Sequence, residues 1–380
     1  MADSWRPITG RPVRVGVLGA GRWAERAHLP GWTRDPRAEL VAVCDVDATL
    51  AQQAGKQFGA PVVSTDYREI VQRDDLDVID VCTPSHTHFE LSMAALESGK
   101  HVLCEKPVAY DFRDTMNAAA IAKEKGLKTK LGFTFRYSPA MRYMKALVDD
   151  GFCGEPFIYN AYEQNSQWLD PEVPLRQVDH EADPSQIQVS SLEGYGAPVI
   201  DLARYMVGSE LTSVVGTMKN FIPERVVRAT GTKMRINIDD GDIFIGEYEN
   251  GAIASVQTSF VTVGNYPGIE VRLYGSNGAI ITRLVEEFGI AETIKAAKPD
   301  DVEFKELEVP QRFYPEGGHP REAWYSLFYA NLIRDFLDEL TTNTTKNEGN
   351  FDDGAAVQEI INAVEVSFRE RRWTDLPLPR

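Results

Sequence analysis

Short apolar runs and amphipathic segments follow one another in turn along the first half of the chain. Apolar, β-branched runs predict strands, and segments with an apolar residue every three or four positions predict helices. Strands that alternate with helices at this spacing predict a parallel, doubly wound α/β sheet. The predicted strands are Val13–Leu18, Glu39–Cys44, Val78–Cys82, His101–Cys104 and Lys128–Gly132, and the predicted helices are Trp23–Trp32, Leu50–Phe58, Phe89–Ser98 and Phe112–Gly126.

In the second half of the chain, strand-like runs follow one another directly. Asn250-Gly251 and Asn277-Gly278 separate neighbouring runs, and an Asn-Gly pair is the strongest short signal for a β-hairpin. This pattern predicts an α+β arrangement with a large, mostly antiparallel sheet and flanking helices. Thr341–Asn350 is polar and predicts a mobile loop. The predicted strands are Pro156–Glu163, Leu211–Lys219, Asp242–Glu249, Ala252–Val261, Ile269–Leu273 and Ala279–Arg283, and the predicted helices are Pro139–Asp149, Val199–Val207, Ala323–Leu340 and Gly354–Arg371.

Composition and charge narrow the class of protein. The hydrophobic content of 43% and the charged content of 26% are those of ordinary globular proteins. No apolar run reaches the roughly 18 residues of a membrane-spanning helix, and residues 1–12 show no signal-peptide pattern. The formal net charge of −17 argues against a nucleic-acid partner, which would require clustered cations.

The four cysteines lack the spacing of a metal site. Cys44, Cys82 and Cys104 lie in or beside predicted strands, and Cys153 stands apart from them. Buried, reduced thiols are typical of a reducing compartment. We therefore expect a cytoplasmic protein with no metal and no membrane partner.

A glycine-rich segment, Gly19-Ala20-Gly21-Arg22-Trp23-Ala24, follows the first predicted strand and begins the first predicted helix. Gly19 permits a tight turn, Gly21 lets a pyrophosphate approach the backbone, and the helix N-terminus favours negative phosphates. Asp45 ends the second predicted strand, where a carboxylate binds ribose hydroxyls and repels a 2′-phosphate. Together these residues predict a Rossmann-type site for NAD. The predicted cofactor contacts are Gly19, Gly21, Arg22, Trp23 and Asp45.

The segment 83–88, Thr-Pro-Ser-His-Thr-His, leaves a buried strand at its carboxyl end. Open α/β sheets bind their ligands at that edge. Thr83, Pro84, His86 and His88 are therefore predicted cofactor contacts, and an ordinary loop or helix-capping role for the two histidines stays open.

Two further segments carry a family resemblance. Cys104-Glu105-Lys106-Pro107 ends a predicted strand, and Gly132-Phe-Thr-Phe-Arg-Tyr-Ser-Pro139 leads into a predicted helix. Together with the glycine-rich segment and the Thr-Pro-x-x-x-His loop, they resemble the Gfo/Idh/MocA oxidoreductase family. The resemblance covers nearly the whole chain. It implies an NAD-binding Rossmann domain over residues 1–132, and a second domain over residues 133–380 for substrate binding and oligomerisation.

The resemblance also implies an activity. Such enzymes transfer a hydride to or from a secondary alcohol carbon of a sugar or sugar derivative, and they commonly form dimers or tetramers. Their Glu-Lys-Pro lysine, here Lys106, lies beside the nicotinamide and the reacting carbon. An ammonium group there can stabilise a developing alkoxide, and partial burial suits it to proton exchange. Glu105 and Arg136 are expected at the cofactor as well, a cis bond before Pro107 is common, and a simple pairing of Lys106 with Glu105 is the structural alternative.

The chain departs from the family in a second motif, Asp-x-Gly-x-His-x-x-Asp, which corresponds to Gly194–Asp201 here. Gly194 and Pro198 replace the Asp and the His that assist proton transfer. The first hypothesis is that a neighbouring residue serves as the acid or base instead: Tyr195, Glu193 or His180.

Two further hypotheses account for the loss of the Asp and the His. In one, the protein is an NAD-dependent glycoside hydrolase that oxidises C3 transiently and eliminates the leaving group, with Glu193 or Tyr195 as the base. In the other, it is an inactive nucleotide-binding protein. The sequence leaves all three hypotheses open.

We expect the substrate in a cleft between the two domains, facing the open side of the second sheet. Aromatic, amide and cationic side chains suit a polyhydroxylated ligand, including one with an anionic group, although each of them could equally have an ordinary core or surface role. The predicted substrate contacts are Tyr162, Asn165, Trp168, Arg176 and His180.

Overall fold

The computed structural model describes residues 6–174, 189–227, 230–263, 268–285, 292–342, 344 and 349–380. The chain forms two compact units. The first contains the residues up to Ser138 together with Tyr314–Gln358, and the second contains Pro139–Phe313 together with Glu359–Arg380. Arg176 and His180 lie outside the described residues. The domain boundary between residues 132 and 133 stays a prediction.

The sheet of the first unit contains six parallel strands in the order β3-β2-β1-β4-β5-β6. The strand order reverses between β1 and β4, which is the position where a doubly wound sheet binds its ligand. The predicted α/β sheet is therefore confirmed. Its strands are β1 (Val13–Leu18), β2 (Ala38–Cys44), β3 (Val62–Ser64), β4 (Val78–Val81), β5 (His101–Cys104) and β6 (Thr129–Leu131).

The helices begin and end at local signals in the sequence. Asp47, Asp66 and Asp111 accept hydrogen bonds from the backbone N–H groups that open three of them, and Gly59 ends the first of those three in the left-handed conformation. Within the described residues the α-helices are α1 (Leu29–Arg34), α2 (Ala48–Phe58), α3 (Tyr67–Val71), α4 (His88–Glu97), α5 (Phe112–Glu124), α6 (Pro139–Asp149), α7 (Ala197–Val207), α8 (Trp324–Thr342) and α9 (Phe351–Glu370).

Helix α8 belongs to the first unit, although it comes from the C-terminal part of the chain. Lys130 of β6 forms a fully buried ion pair with Glu339 of α8. A Cβ atom at Gly31 of α1 would lie 2.5 Å from Cδ1 of Ile333, so the absence of a side chain lets the two helices pack closely. The first unit is thus completed by a helix that the sequence places some 200 residues after β6.

The second unit contains a nine-stranded sheet in the order β16-β15-β14-β13-β7-β12-β11-β8-β17 and a two-stranded sheet of β9 and β10. Only β7 and β12 pair in parallel within the nine-stranded sheet as described. The predicted antiparallel sheet and both Asn-Gly hairpins are confirmed. The strands are β7 (Pro156–Gln164), β8 (Leu211–Lys219), β9 (Glu224–Val227), β10 (Thr232–Arg235), β11 (Gly241–Tyr248), β12 (Ile253–Ser259), β13 (Gly268–Gly275), β14 (Gly278–Val285), β15 (Thr293–Ala297), β16 (Lys305–Leu307) and β17 (Thr374–Asp375).

The two faces of the nine-stranded sheet differ. Helices α6 and α7 pack on one face, where Tyr159 Oη donates to the carbonyl oxygen of Val199 at 3.1 Å. On the opposite face, which we call the open face, Ile243, Ile245 and Ile253 are 45–47% exposed. Side chains alternate along β11 between these faces, as a sheet with one packed side requires.

No helix in the described ranges combines the length and the apolar character that crossing a bilayer requires.

Candidate active site

The glycine-rich loop has the geometry of a dinucleotide site. Gly19 has φ +100°, and a Cβ atom there would lie 2.4 Å from the carbonyl oxygen of Cys82, so no other residue fits. Gly21 differs from Gly19: apart from its two chain neighbours, none of the described residues places a heavy atom within 4 Å of where its Cβ would be. The space beside Gly21 therefore fits a pyrophosphate that must approach the backbone closely.

The carboxylate of Asp45 holds this loop at the end of β2. Its Oδ2 accepts a hydrogen bond from the backbone N–H of Ala20 at 2.7 Å, and its Oδ1 accepts one from Asp47 at 2.9 Å. A carboxylate has about four acceptor positions. Asp45 can therefore bind ribose hydroxyls while it braces the loop, and the residues after it, Val46 and Asp47, offer no cation for a 2′-phosphate.

The Glu105-Lys106 segment follows β5 at the same edge of the sheet. The Glu105 carboxylate lies 3.1 Å from Nε2 of His28 and 3.2 Å from Nε1 of Trp23, and it accepts a close hydrogen bond from Oη of Tyr329. Burial would raise the pKa of Glu105, but the neighbouring His28 outweighs it and the pKa is lowered. Glu105 is thus held as a carboxylate, and Lys106 follows it, half-buried and joined to Pro107 by a cis peptide bond.

In the second unit, the helix start that departs from the family motif contains a π-helical turn, Leu192–Gly196. Glu193 is buried, with 7% exposure, whereas Tyr195 is half-buried. The Tyr195 ring packs against Phe260, with centroids 4.7 Å apart, and its hydroxyl donates to Gln167 Oε1 at 3.5 Å. A Cβ atom at Gly194 would already contact Phe260 at 3.5 Å. The Phe260 ring therefore borders the space into which an aspartate at position 194 would extend.

Two buried aspartates support this helix start. The carboxylate of Asp239 accepts hydrogen bonds from the backbone N–H groups of Ser191 at 3.0 Å and Leu192 at 2.9 Å. Asp242 accepts one from Oγ1 of Thr258 at 2.6 Å. Burial raises the pKa of Asp239 to about 6, and burial together with the charge of Asp239 raises the pKa of Asp242 well above its usual range. Both carboxyl groups therefore take up a proton more readily than an exposed aspartate does.

Comparison with known proteins decides the family. The sequence model described as "Oxidoreductase family, NAD-binding Rossmann fold" matches residues 13–133, and that of the "GFO/IDH/MocA C-terminal domain" matches residues 141–281. The chain belongs to the Gfo/Idh/MocA oxidoreductase family. The resemblance seen in the motifs is confirmed, as are the oxidoreductase class and the NAD cofactor.

Three similar proteins illustrate this Gfo/Idh/MocA membership. A levoglucosan dehydrogenase of Pseudarthrobacter phenanthrenivorans is 26% identical, over 96% of this chain and 98% of its own length. The scyllo-inositol 2-dehydrogenase (NAD(+)) of Bacillus subtilis is 28% identical, over 70% of this chain and 73% of its own length. The solved structure of a levoglucosan dehydrogenase in complex with NADH and levoglucosan is 25% identical, with a TM-score of 0.84 over 97% of this chain and all of that one.

The predicted cofactor contacts of this Gfo/Idh/MocA protein fall into two groups. Arg22 and His86 are exposed beside the glycine-rich loop and on the loop after β4, where a cofactor could reach them. His88 is buried instead, and its ring nitrogens face the carbonyl oxygens of Pro107 and Thr83 at 2.7 and 2.8 Å. His88 thus ties the loop after β4 to the Lys106–Pro107 segment, which is a bracing role.

Arg136 has a similar internal position. Its side chain is 3% exposed, and its Nη2 atom lies 3.4 Å from Oδ2 of Asp353 on α9. The ion pair fixes the turn Thr134–Tyr137 within the first unit. A contact of Arg136 with the cofactor stays a prediction.

The described substrate candidates are not all brought together. Trp168 stacks on Phe260, with centroids 3.9 Å apart, and Tyr195 packs on the same ring. Asn165 is buried, and its Oδ1 accepts from the backbone N–H of Gln167 at 3.0 Å, so it shapes the loop that carries Trp168. Tyr162 lies on the open face beside Glu270, away from the face on which α7 packs.

Sequence reasoning missed several residues that form these sites. His28 and Tyr329 hold Glu105, and Asp239 and Asp242 hold the start of the helix with Tyr195. A signal existed only for the second pair, in the run Asp239-Asp240-Gly241-Asp242 before an alternating strand. From sequence alone, such a run of aspartates predicts an exposed turn.

Substituting alanine for Gly21 separates cofactor binding from folding. The new methyl group enters open space, so we expect an unchanged melting temperature and roughly tenfold weaker NAD binding, since it occupies the pyrophosphate position. Titration of NAD by calorimetry and thermal melting measure the two effects. Gly19→Ala is the matched control, in which the clash with the Cys82 carbonyl should lower the melting temperature. Unchanged NAD affinity in Gly21→Ala would contradict the assignment.

Substituting asparagine for Asp242 tests the buried carboxyl pair. Because the pKa of Asp239 is raised to about 6, its protonation stabilises the fold fully below about pH 4, and this stabilisation is lost as the pH rises through 6. An amide at position 242 can donate to Asp239 and removes the second charge. We expect the free energy of unfolding at pH 8 to rise by about 1–3 kcal/mol, with a flatter dependence between pH 4 and 6.

The measurement is urea unfolding of wild type and variant at pH 4.5 and pH 8, with the exposed Asp300→Asn as the control. A variant less stable than the wild type at pH 8 would show that the two carboxyl groups do not repel each other.

Proposed function

We propose that this protein is an NAD-dependent dehydrogenase that interconverts a secondary alcohol of a sugar or cyclitol and the corresponding ketone, with Lys106 at the reacting oxygen. The observation that carries the proposal is the fixed Glu105 carboxylate at the end of β5. Because the carboxyl ends of parallel strands share one edge, Lys106 emerges at the edge that also carries the glycine-rich loop.

The cofactor supplies the two-electron acceptor for this reaction. The proposed contacts are Gly19, Gly21, Arg22, Trp23 and Asp45 from the first two strand ends, Thr83, Pro84, His86 and His88 from the loop after β4, and Glu105, Lys106 and Arg136.

Lys106 carries the proposed chemistry of the chain. Its ammonium group donates a hydrogen bond to the substrate oxygen and stabilises the negative charge that develops there. Glu105 is also engaged by three other donors, from His28, Trp23 and Tyr329. The nearby charge of Lys106 contributes to the lowered pKa of Glu105, so the fixed carboxylate can orient the lysine while the ammonium group serves the substrate.

Tyr195 and Glu193 are the proposed acid–base residues in place of the aspartate and histidine of the family motif. Tyr195 is the more accessible of the two. It belongs to the π-helical turn, and its ring packs against Phe260. A phenol hydroxyl can donate to or accept from a substrate hydroxyl. We therefore assign the proton transfer to Tyr195, which accepts the substrate hydroxyl proton as a phenolate during oxidation and returns it as a phenol during reduction, with the Glu193 carboxylate as the alternative acceptor.

A sugar or cyclitol is the proposed substrate class. The relatives named above include dehydrogenases of levoglucosan and scyllo-inositol, both rings with several hydroxyl groups. Trp168 presents an aromatic ring on the loop after β7, and such rings pack against the C–H faces of sugars. Tyr162, Asn165, Arg176 and His180 are the other proposed substrate contacts.

We also propose a homo-oligomer, a dimer or a tetramer, formed through the open face of the nine-stranded sheet. Ile243, Ile245 and Ile253 form an exposed apolar group there, and such patches commonly mark subunit interfaces. A cytoplasmic location is proposed because all four cysteines are buried and free.

Replacement of Lys106 tests the proposed activity. The protein is incubated with NAD and either levoglucosan, scyllo-inositol or methyl D-glucoside, and NADH is followed by its absorbance. We expect turnover of at least one compound, and a roughly 100- to 1,000-fold loss of kcat/KM in Lys106→Ala, since a transition-state donor is removed. Lys123→Ala, an exposed lysine on α5, should match the wild type.

Nitrophenyl glycosides with catalytic NAD separate the alternatives. Release of nitrophenol without NADH accumulation would replace the dehydrogenase with the glycosidase. NAD binding without turnover of any compound would indicate a nucleotide-binding protein that has lost its activity.

A further inference from the structure

A carboxylate lies fully buried in the middle of the parallel sheet. Asp80 belongs to β4, and its side chain is 0% exposed. Its oxygens lie 2.8 and 3.0 Å from Nδ1 of His28, and Oδ2 also accepts a hydrogen bond from Nε1 of Trp32 at 2.7 Å. A buried charge of this kind is tolerated only when it is paired and hydrogen-bonded.

His28 connects this carboxylate to the Glu105-Lys106 segment. The ring is fully buried, and its Nε2 atom lies 3.1 Å from Oε1 of Glu105. Both ring nitrogens therefore face carboxylate oxygens. An ionised carboxylate accepts hydrogen bonds and cannot donate them. A doubly protonated ring satisfies both partners, whereas a neutral ring leaves one contact between two acceptors.

The groups around His28 support the charged form. Asp80 of β4, Cys82 after β4, Glu105 after β5 and Tyr329 of α8 pack against it, the last with ring centroids 4.4 Å apart. Burial opposes a charge on the ring, but the charge and the hydrogen bond of the Asp80 carboxylate outweigh it and raise the pKa of His28 well above 6.5.

Glu105, the residue before Lys106, is the last member of this series of contacts. Glu105 is held by His28, by Trp23 from the helix after the glycine-rich loop, and by Tyr329 from α8. A Cβ atom at Gly132 would lie 2.6 Å from Oε1 of Glu105, so the carboxylate fills its position closely. The backbone from which Lys106 extends is therefore fixed from three directions.

We propose that His28 is a positioning residue for the reaction: as a buried cation it bridges Asp80 and Glu105, and it thereby fixes the segment that presents Lys106. Tyr329 completes this arrangement from α8. The proposal rests on the proposed function of Lys106. A well-packed apolar cluster would satisfy the core equally well, so the three buried charges are best explained by the orientation they impose at the strand end.

Kinetics with NAD and the substrate found in the panel test the positioning role. In His28→Gln, which keeps one donor and loses the charge, we expect kcat to fall roughly 10- to 100-fold, with NAD affinity and KM changed no more than about threefold. In Tyr329→Phe, which keeps the ring and loses one donor, kcat should fall roughly 3- to 10-fold. Tyr325→Phe is the matched control, since Tyr325 also packs on Trp23 from α8, and it should keep wild-type kcat.

The charge state of His28 is measured without turnover. Nitrogen-15 NMR of histidine-labelled protein at pH 8.5 distinguishes a ring with two N–H groups from a neutral one, and the His28 signal among the six histidines is the one lost in His28→Gln. We expect the His28 ring to be the cation, with two N–H groups, at this pH. A neutral His28 would overturn the bridge.

The outcomes separate this inference from the proposed function. An inactive wild type with a cationic His28 contradicts the function and supports the bridge. An active wild type whose kcat stays unchanged in both His28→Gln and Tyr329→Phe supports the function and overturns the positioning role. If His28→Gln does not fold, the kcat of Tyr329→Phe relative to that of Tyr325→Phe tests the positioning role.

Discussion

Buried charge at the ends of β4 and β5 is the constraint on which the nucleotide-binding unit depends. Asp80 is fully buried and Glu105 largely so, and both carboxylates must find donors within the protein. His28 serves both, and Tyr329 serves Glu105 from the far end of the chain. Meeting this requirement ties the glycine-rich loop, the Glu105-Lys106 segment and helix α8 into one arrangement.

The second unit follows the same rule with different partners. Asp239 satisfies the backbone N–H groups at the start of the helix that carries Tyr195. Asp240 pairs with the fully buried Arg225, whose guanidinium lies 5.5 Å from the ring of Trp168. Consecutive aspartates thus fix two neighbouring elements, the helix start and the aromatic loop. Where the family motif has lost its aspartate and histidine, the backbone is still held firmly.

The sequence predicts the elements that have a strong periodic pattern. β1, β5, β8 and α6 begin and end at the predicted residues, and the Asn-Gly hairpins pair as expected. β3, α3, β9, β10 and β15–β17 were missed because they are short or lie at sheet edges, where few residues carry the pattern.

The tight turn of the glycine-rich loop was also predictable, because the glycines that it requires lie in one short segment. The contact of Glu105 with Tyr329 spans 224 positions, and no local pattern encodes such a pairing. The same holds for Asp239 and the helix start 47 positions before it. Sequence therefore predicts Lys106 as a candidate catalytic residue, whereas only the structure identified the residues that hold its backbone.

A crystal structure of the protein with NAD and a substrate of the sugar or cyclitol class tests the proposed role of Lys106 most directly. We expect the pyrophosphate beside Gly21 and Nζ of Lys106 about 3 Å from the oxygen of the reacting carbon. A Lys106 side chain that points away from that oxygen, or a pyrophosphate that lies elsewhere on the sheet edge, would contradict this role.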